Sequence, residues 1–123
     1  MPKCILIVDD CPQIRRLIRV YFDRETEFQV CGEAEDGIDA IEKAEELKPD
    51  LIILDASMPN MDGLQAARIL RSRDREVPII LFTLHAEAIS LSVVAEAGIT
   101  SVVSKLESIT ELSREVGSLL KYA

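Results

Sequence analysis

Acidic, hydroxyl and basic side chains follow four short apolar segments of this sequence. Asp9 and Asp10 follow the first segment, Asp55 follows a later one, and Thr83 and Lys105 follow the last two. If these segments are parallel strands of one sheet, their carboxyl ends share the edge where open α/β sheets bind ligands. Residues from opposite ends of the sequence are then expected to meet in a single crevice.

Three carboxylates in one crevice repel each other, and a cation is needed to offset their charge. Mg²⁺ prefers oxygen ligands, keeps several waters and recruits phosphate oxygens. The Lys105 ammonium is a compact charge suited to a phosphoryl group, and the Thr83 hydroxyl is a hydrogen-bond donor. One aspartate could then attack phosphorus as a carboxylate nucleophile and form an aspartyl phosphate. The residue types therefore predict magnesium-assisted phosphoryl transfer.

The elements that must position these residues alternate between short apolar strands and longer amphipathic helices. Continuous apolar runs predict strands buried on both faces at 5–8, 51–54, 78–82 and 99–103, with a weaker edge strand at 28–32. Apolar residues at helical spacing predict helices from Pro12 to beyond Phe22 and at 36–47, 62–73, 87–97 and 108–120. This alternation predicts an α/β fold with a doubly wound parallel sheet and right-handed crossovers.

Length and composition narrow the function classes further. The 123 residues are enough for one domain, expected to span 1–123, and too few for two ordinary ones. The net charge of −8 argues against nucleic-acid binding. No apolar run is long enough to cross a membrane, and three cysteines without a CxxC motif exclude a disulfide framework and a cysteine-rich zinc site. The short apolar stretch at the start does not form a signal peptide, so we expect a cytoplasmic location.

In combination, these motifs resemble the receiver domain of two-component response regulators. The resemblance is carried by Asp9 and Asp10 after Val8, by DASMPNMDG at 55–63, by GEAEDG at 32–37, by Ala-Gly at 97–98, and by Thr83 and Lys105. It extends from residue 3 to residue 120. It implies the flavodoxin-like (βα)5 fold, a five-stranded parallel sheet with strand order 2-1-3-4-5.

Position by position, the resemblance implies that Asp55 is the phosphoacceptor. It also implies that Asp9, Asp10 and Asp55 bind Mg²⁺ together with the backbone carbonyl of Ser57. The phosphoryl group would come from a histidine kinase or a phosphotransfer protein. Phosphorylation would remodel a partner-binding face made by the fourth helix, the fifth strand and the fifth helix. Such a domain catalyses only its own phosphorylation and dephosphorylation, so we do not expect an enzyme.

Thr83 and Lys105 match the family's switch hydroxyl and phosphate-pairing lysine, but their neighbours depart from its commonest pattern. Leu106 follows Lys105 where many members have proline. We expect a trans bond or a locally rearranged loop there, because a cis bond would cost roughly 3–4 kcal/mol. Leu84 stands where a small residue is usual, and Val102 where an aromatic switch residue is common. A lysine that is not followed by proline resembles the pattern of the subfamily that usually carries LuxR-type helix-turn-helix output domains. We expect no output domain within this chain.

Three other function classes remain open at this point. A flavodoxin-like cofactor binder needs a phosphate loop after the first strand, where Asp9 and Asp10 would repel a phosphate without a metal. An aspartate-nucleophile phosphatase needs a second carboxylate two positions after Asp55, where this chain has Ser57. A pseudo-receiver would bind partners without being phosphorylated. The complete set of acidic, threonine and lysine residues favours a phosphorylated receiver over the third class.

The predicted fourth helix supplies an apolar residue for the partner-binding face. Ile89 and Val93 lie four positions apart and are expected to face the core. Leu91 then lies about 200° round the helix from Ile89 and points outward. No charged residue stands between Glu87 and Glu96. We therefore expect the surface around Leu91 to bind a second copy of the chain or an output partner.

Overall fold

In the computed structural model, which describes residues 2–121, five strands alternate with five α-helices. Neighbouring strands pair in parallel in the order β2-β1-β3-β4-β5. The predicted fold class and strand order are therefore confirmed. The strands are β1 Cys4–Val8, β2 Gln29–Ala34, β3 Leu51–Leu54, β4 Ile79–Thr83 and β5 Ser101–Ser104, and the helices are α1 Pro12–Glu25, α2 Gly37–Leu47, α3 Gly63–Arg73, α4 Leu91–Glu96 and α5 Ile109–Lys121.

The sheet separates two apolar cores, because successive side chains along a strand point to opposite faces. Leu6 and Ile52 contribute to the core beneath α2 and α3, and Ile5 and Ile53 to the core beneath α1 and α5. Every residue of β3 and β4 is buried. This burial on both faces explains why these strands are uninterrupted apolar runs in the sequence.

The helix starts follow from identifiable residues. Pro12 is the first residue of α1, where its missing N–H costs no hydrogen bond. Asp36 caps α2 by accepting a hydrogen bond from the Asp39 N–H, and Asp62 and Gln65 form a capping box at the start of α3. These helices begin within one residue of their predicted positions. Within residues 2–121, no helix is both long and apolar enough to cross a membrane.

The predicted fourth helix over 87–97 is wrong in its first turn. Residues Ala86–Ala88 form a single 3₁₀ turn, the chain then extends, and α4 begins only at Leu91. The cause is Ser90, whose hydroxyl accepts a hydrogen bond from the Val93 N–H at 3.2 Å and caps a new helix. Ile89 packs against the core as predicted. The residue of α4 that packs on the same core is Val94, whereas Val93 was predicted.

The end of this region follows its glycine signal. Gly98 has φ of +76°, the left-handed conformation that glycine adopts readily after a helix. Ile99 was predicted to begin the fifth strand, but its N–H donates to the Val94 carbonyl at 3.1 Å, so it belongs to the helix-terminal turn. The strand begins at Ser101 and lies at the sheet edge opposite β2. The predicted edge position of β2 is confirmed.

Candidate functional site

Asp9, Asp10 and Asp55 meet at the carboxyl-end edge of the sheet, as predicted from the strand ends. Strands β1 and β3 are direct neighbours, and the Asp55 N–H donates to the Val8 carbonyl at 2.9 Å. One carboxylate oxygen from each of the three residues lies within 4.8 Å of the others. Asp9 and Asp55 are buried, whereas Asp10 is exposed. The cluster therefore opens to solvent on the side of Asp10.

Lys105 reaches the cluster from the end of β5. Its Nζ lies 2.7 Å from Asp9 Oδ2 and 3.3 Å from Asp55 Oδ1, and its side chain is 12% exposed. The Lys105 N–H donates to the Thr83 carbonyl at 2.8 Å, which fixes the lysine beside the end of β4. The ammonium thus bridges two carboxylates that stand on different strands.

Burial and neighbouring charge alter the acid–base properties of this pair. Burial, together with the negative charge of Asp9, raises the pKa of Asp55, and the Lys105 ammonium offsets part of that rise. Burial acts to lower the pKa of Lys105, but its hydrogen bond to Asp9 and the charge of Asp55 outweigh burial and raise it. The lysine therefore remains charged, and Asp55 is destabilised as an anion until more positive charge arrives.

Thr83 ends β4, and Ser57 lies in the loop two residues after Asp55. Thr83 is buried and accepts a hydrogen bond on its Oγ1 from the His85 N–H at 3.4 Å. Ser57 is exposed, and its N–H lies 3.5 Å from Asp55 Oδ1. The structure thus brings both residues to the edge where they were expected. The metal-binding role of the Ser57 carbonyl stays a prediction.

The loop that follows Asp55 is held against α2 by contacts that no sequence motif specified. A Cβ built on Gly63 would lie 2.0 Å from the Asp55 carbonyl oxygen, so only glycine allows α3 to start this close to the strand end. Asn60 donates to the Asp36 carboxylate at 2.9 Å. Met61 packs so closely on Gly37 that a Cβ there would lie 2.9 Å from its side chain. The position of the loop around Asp55 therefore depends on two glycines.

Sequence reasoning also missed a group of ion pairs that contacts the main chain of Asp9. The Arg15 guanidinium donates from Nη1 to the Asp9 carbonyl at 2.5 Å and from Nε to Glu33 Oε1 at 3.0 Å. Arg19 donates to the other oxygen of Glu33 at 2.6 Å. The only sequence signal is the four-residue spacing of the two arginines, which places them on one helix face.

The residues that depart from the resemblance occupy different environments. Leu84 and Leu106 are 51% and 77% exposed, so neither side chain is part of the core. Val102 is partly buried and packs on the core beneath α2 and α3. The described residues contain no cis peptide bond, so the predicted trans bond between Lys105 and Leu106 is confirmed.

The donor set fits a magnesium ion. Carboxylate oxygens are the hard ligands that Mg²⁺ prefers, and the three here lie close enough to share one ion. The exposure of Asp10 leaves space for the waters and phosphate oxygens that Mg²⁺ retains in such sites. Asp9, Asp10 and Asp55 would hold the ion, with its charge offsetting the repulsion among them.

The sheet order, the acidic cluster and the threonine–lysine pair at one edge define the class of two-component signalling receivers. The chain belongs to the response regulator receiver domain family, whose family model matches residues 5–116. This match confirms the family resemblance inferred from the motifs.

Individual relatives agree with this family and with its LuxR-type branch. The response regulator protein VraR of Staphylococcus saprophyticus is 33% identical over 116 residues, which cover 94% of this chain and 56% of VraR. A LuxR-family response regulator from Aurantimonas has 30% identity and a TM-score of 0.89, with 98% of this chain and 86% of that chain covered. The Thermotoga maritima response regulator TrrA, solved with Mg²⁺-BeF, has 33% identity and a TM-score of 0.87, with 96% and 99% covered.

The chain spans between about one fifth and just over half of the length of the curated relatives it matches. The relatives include longer proteins with different names, such as the protein-glutamate methylesterase/protein-glutamine glutaminase of Pyrococcus horikoshii. The similarity to that protein is 40% identity over 79 residues, which cover 64% of this chain and 21% of that protein.

Proposed function

We propose that Asp55 accepts a phosphoryl group in a Mg²⁺-dependent reaction. The observation that carries this proposal is the position of Asp55, a buried carboxylate 3.3 Å from the Lys105 ammonium and clustered with Asp9 and Asp10. An isolated buried carboxylate would be costly, so such a site favours a reaction that brings positive charge to it. A Mg²⁺–phosphoryl complex does so.

The reaction follows from the geometry of the chain's own groups. An Asp55 carboxylate oxygen forms a bond to phosphorus while the bond between phosphorus and the donor's histidine nitrogen breaks. Lys105, already beside Asp55, pairs with a phosphoryl oxygen, and the Thr83 hydroxyl donates to another. Bound Mg²⁺ would neutralise charge on the phosphoryl oxygens as the group is transferred. The TrrA structure, which was solved with Mg²⁺-BeF, supports this proposal by analogy.

The partners belong to the same proposal. The phosphodonor is a histidine kinase or a phosphotransfer protein, and the chain acts on no other substrate, so it is not an enzyme in the ordinary sense. We keep the cytoplasmic location expected from the sequence, which cell fractionation with detection of the chain would test. The similarity to a LuxR-family regulator supports a DNA-binding output elsewhere in the whole protein, with no nucleic acid bound by this domain.

Phosphorylation is tested by intact-protein mass spectrometry after incubation with Mg²⁺ and a small acyl phosphate. The wild type should gain one phosphoryl group, and chelation of Mg²⁺ should abolish the gain. Asp55→Asn should gain none, whereas Asp23→Asn, which changes an exposed carboxylate on α1, should behave like the wild type. Labelling of Asp55→Asn at the wild-type rate would refute the assignment. No labelling of the wild type would favour the pseudo-receiver that only binds partners.

The surface made by α4, β5 and α5 is the proposed site for a second copy or an output partner. Leu91 is 87% exposed there, and no residue of α4 is buried. We expect Leu91→Asp to reduce phosphorylation-dependent self-association, measured by sedimentation with and without the phosphodonor. Leu17→Asp is the matched control, because Leu17 is 54% exposed on α1, which packs on the opposite face of the sheet from α4. Equal association of Leu91→Asp and wild type in both states would exclude this surface as the dimer interface.

A further inference from the structure

We propose that Arg15 is a positioning residue that sets the Mg²⁺ affinity of the site through the main chain of Asp9; this inference rests on the proposed function. Arg15 touches no carboxylate of the acidic cluster. It acts on the backbone that presents two of the cluster's three members. Neither the acidic motif nor the family match assigns it this role.

The Asp9 carbonyl lies just beyond the end of β1, where the described strands provide it with no partner. The Asp9 N–H donates to the Ala34 carbonyl at 3.0 Å, which ties one side of the peptide to β2. The carbonyl is satisfied by Arg15 Nη1 at 2.5 Å. A buried carbonyl without a donor costs free energy comparable to a lost hydrogen bond. Arg15 therefore completes the hydrogen bonding of the turn that carries Asp9 and Asp10.

Glu33 orients the Arg15 side chain for this contact. Its Oε1 accepts from Arg15 Nε at 3.0 Å, and the arginine side chain is only 16% exposed. A guanidinium can donate in two directions from one rigid plane, whereas an ammonium is a single point of charge. The side chain thus links the carboxylate on β2 to the carbonyl at the end of β1.

The Asp9 carboxylate benefits from this fixed backbone. Its Oδ1 accepts from the Cys11 N–H at 2.9 Å, and its Oδ2 accepts from Lys105 at 2.7 Å. These bonds hold the carboxylate in one orientation only if the main chain beneath it is held as well. Residues that support metal ligands from behind commonly change metal affinity by about 10- to 100-fold when removed.

Arg19 provides a control on the same helix. It donates to Glu33 Oε2 at 2.6 Å but makes no hydrogen bond to Asp9. Removing Arg19 therefore weakens the ion pair to Glu33 and leaves the Asp9 carbonyl satisfied. Removing Arg15 disturbs both contacts. The difference between the two variants isolates the contribution of the bond to Asp9.

The test compares Arg15→Gln, Arg15→Lys and Arg19→Gln with the wild type. Mg²⁺ dissociation constants are measured by isothermal titration calorimetry with MgCl₂, and the free energy of unfolding is measured in urea without metal. We expect Arg15→Gln to weaken Mg²⁺ binding about tenfold and Arg19→Gln less than about twofold. Arg15→Lys keeps the charge but lacks the planar fork, so we expect a loss of about threefold or more. If Arg15→Gln does not fold, Arg15→Lys decides the question.

The outcomes separate this inference from the proposed function. Absence of Mg²⁺ binding by the wild type would overturn both. Mg²⁺ binding by the wild type and equal binding by Arg15→Gln, or by Arg15→Lys where Arg15→Gln does not fold, would overturn the positioning role alone. Equal losses of affinity in Arg15→Gln and Arg19→Gln would also overturn it, because the bond to Asp9 would then contribute nothing beyond the ion pair. A loss of unfolding free energy without a loss of Mg²⁺ affinity would reduce Arg15 to a structural ion pair.

Discussion

The two sides of the candidate site are built very differently. One side, which we call the anchored side, comprises β3, the loop 55–62 and α3; the other, the open side, comprises the end of β4, residues 84–90 and α4. On the anchored side, α3 buries four residues, Gly63 packs against the Asp55 carbonyl and Asp62 closes a capping box. On the open side, α4 has six residues and none is buried.

If the proposed function is correct, this difference divides the two requirements of a phosphorylation-dependent switch between the two sides. The nucleophile needs a fixed position, because misplacement of a reacting group by about 1 Å is enough to slow a reaction strongly. A face that changes with phosphorylation needs the opposite, a segment whose opening costs little. The anchored side follows β3, and the open side follows the neighbouring strand β4, which ends at Thr83.

The largest expected effect is on the anchored side. Gly63→Ala would place a Cβ 2.0 Å from the Asp55 carbonyl oxygen and 2.8 Å from the Ala56 Cα. Because both neighbours are backbone atoms, we expect a loss of about 3 kcal/mol in unfolding free energy, measured by urea denaturation.

Gly117→Ala is the matched control for that change. Gly117 is also helical, but a Cβ there meets no atom within 4 Å. We expect this change to stabilise the protein by up to about 1 kcal/mol through helix propensity alone. Similar destabilisation by the two changes would contradict the close packing of the anchored side.

The comparison also predicts unequal local stability. Native-state hydrogen exchange should show amides of residues 91–96 opening at a free energy about 2 kcal/mol below those of residues 63–73, because α4 lacks buried anchors. The measurement is exchange followed by NMR under conditions where reclosing is faster than the intrinsic exchange of the open amide. Equal protection of the two helices would mean that the open side is as firmly held as the anchored side.

Sequence patterns predicted the site residues at the carboxyl-end edge of the sheet more accurately than they predicted the nearby helix boundaries. Asp9, Asp55 and Thr83 were found because a polar residue at the end of an apolar strand has a position fixed by topology. The start of α4 was missed because Ser90 competes locally as a helix cap within an otherwise helical pattern.

The supporting contacts of the site could not be predicted for a different reason. The bond from Arg15 to the Asp9 carbonyl and the packing of Met61 on Gly37 join separate elements. Their existence depends on distances between helices and strand ends to within about 1 Å. Residue type and spacing along one chain do not contain that information.

A smaller effect concerns the ion pairs behind Asp9. Burial acts to raise the pKa of Glu33, but hydrogen bonds from Arg19 and Arg15 outweigh it and lower the pKa below its ordinary value of 4.5. A lowered pKa stabilises the fold at pH above the ordinary value, and this contribution is lost as pH falls through the folded-state value. We therefore expect wild type to exceed Glu33→Gln in stability by less than about 1 kcal/mol near neutral pH.

The check is urea denaturation of wild type and Glu33→Gln across the acidic range. The difference between the two proteins should be constant near neutral pH and should shrink below about pH 4.5. A difference that grows on acidification would contradict the direction of the pKa shift. It would also remove the charge-based explanation for the orientation of Arg15.

The smallest expected effect is on the open side, and two leucines measure it. Leu91 in α4 is 87% exposed and Leu70 in α3 is 3% exposed. Truncating a buried leucine to alanine removes its contacts and leaves a cavity, so Leu70→Ala should cost about 3 kcal/mol. Leu91→Ala leaves no cavity and should change the unfolding free energy of the unphosphorylated protein by less than about 0.5 kcal/mol.

Packing within one copy of the chain gives Leu91 no role. A large loss of unfolding free energy on Leu91→Ala at low protein concentration would therefore show that α4 is held more firmly than its burial indicates. A near-zero change, combined with an altered association after phosphorylation, would assign the leucine to an interface that only a partner completes.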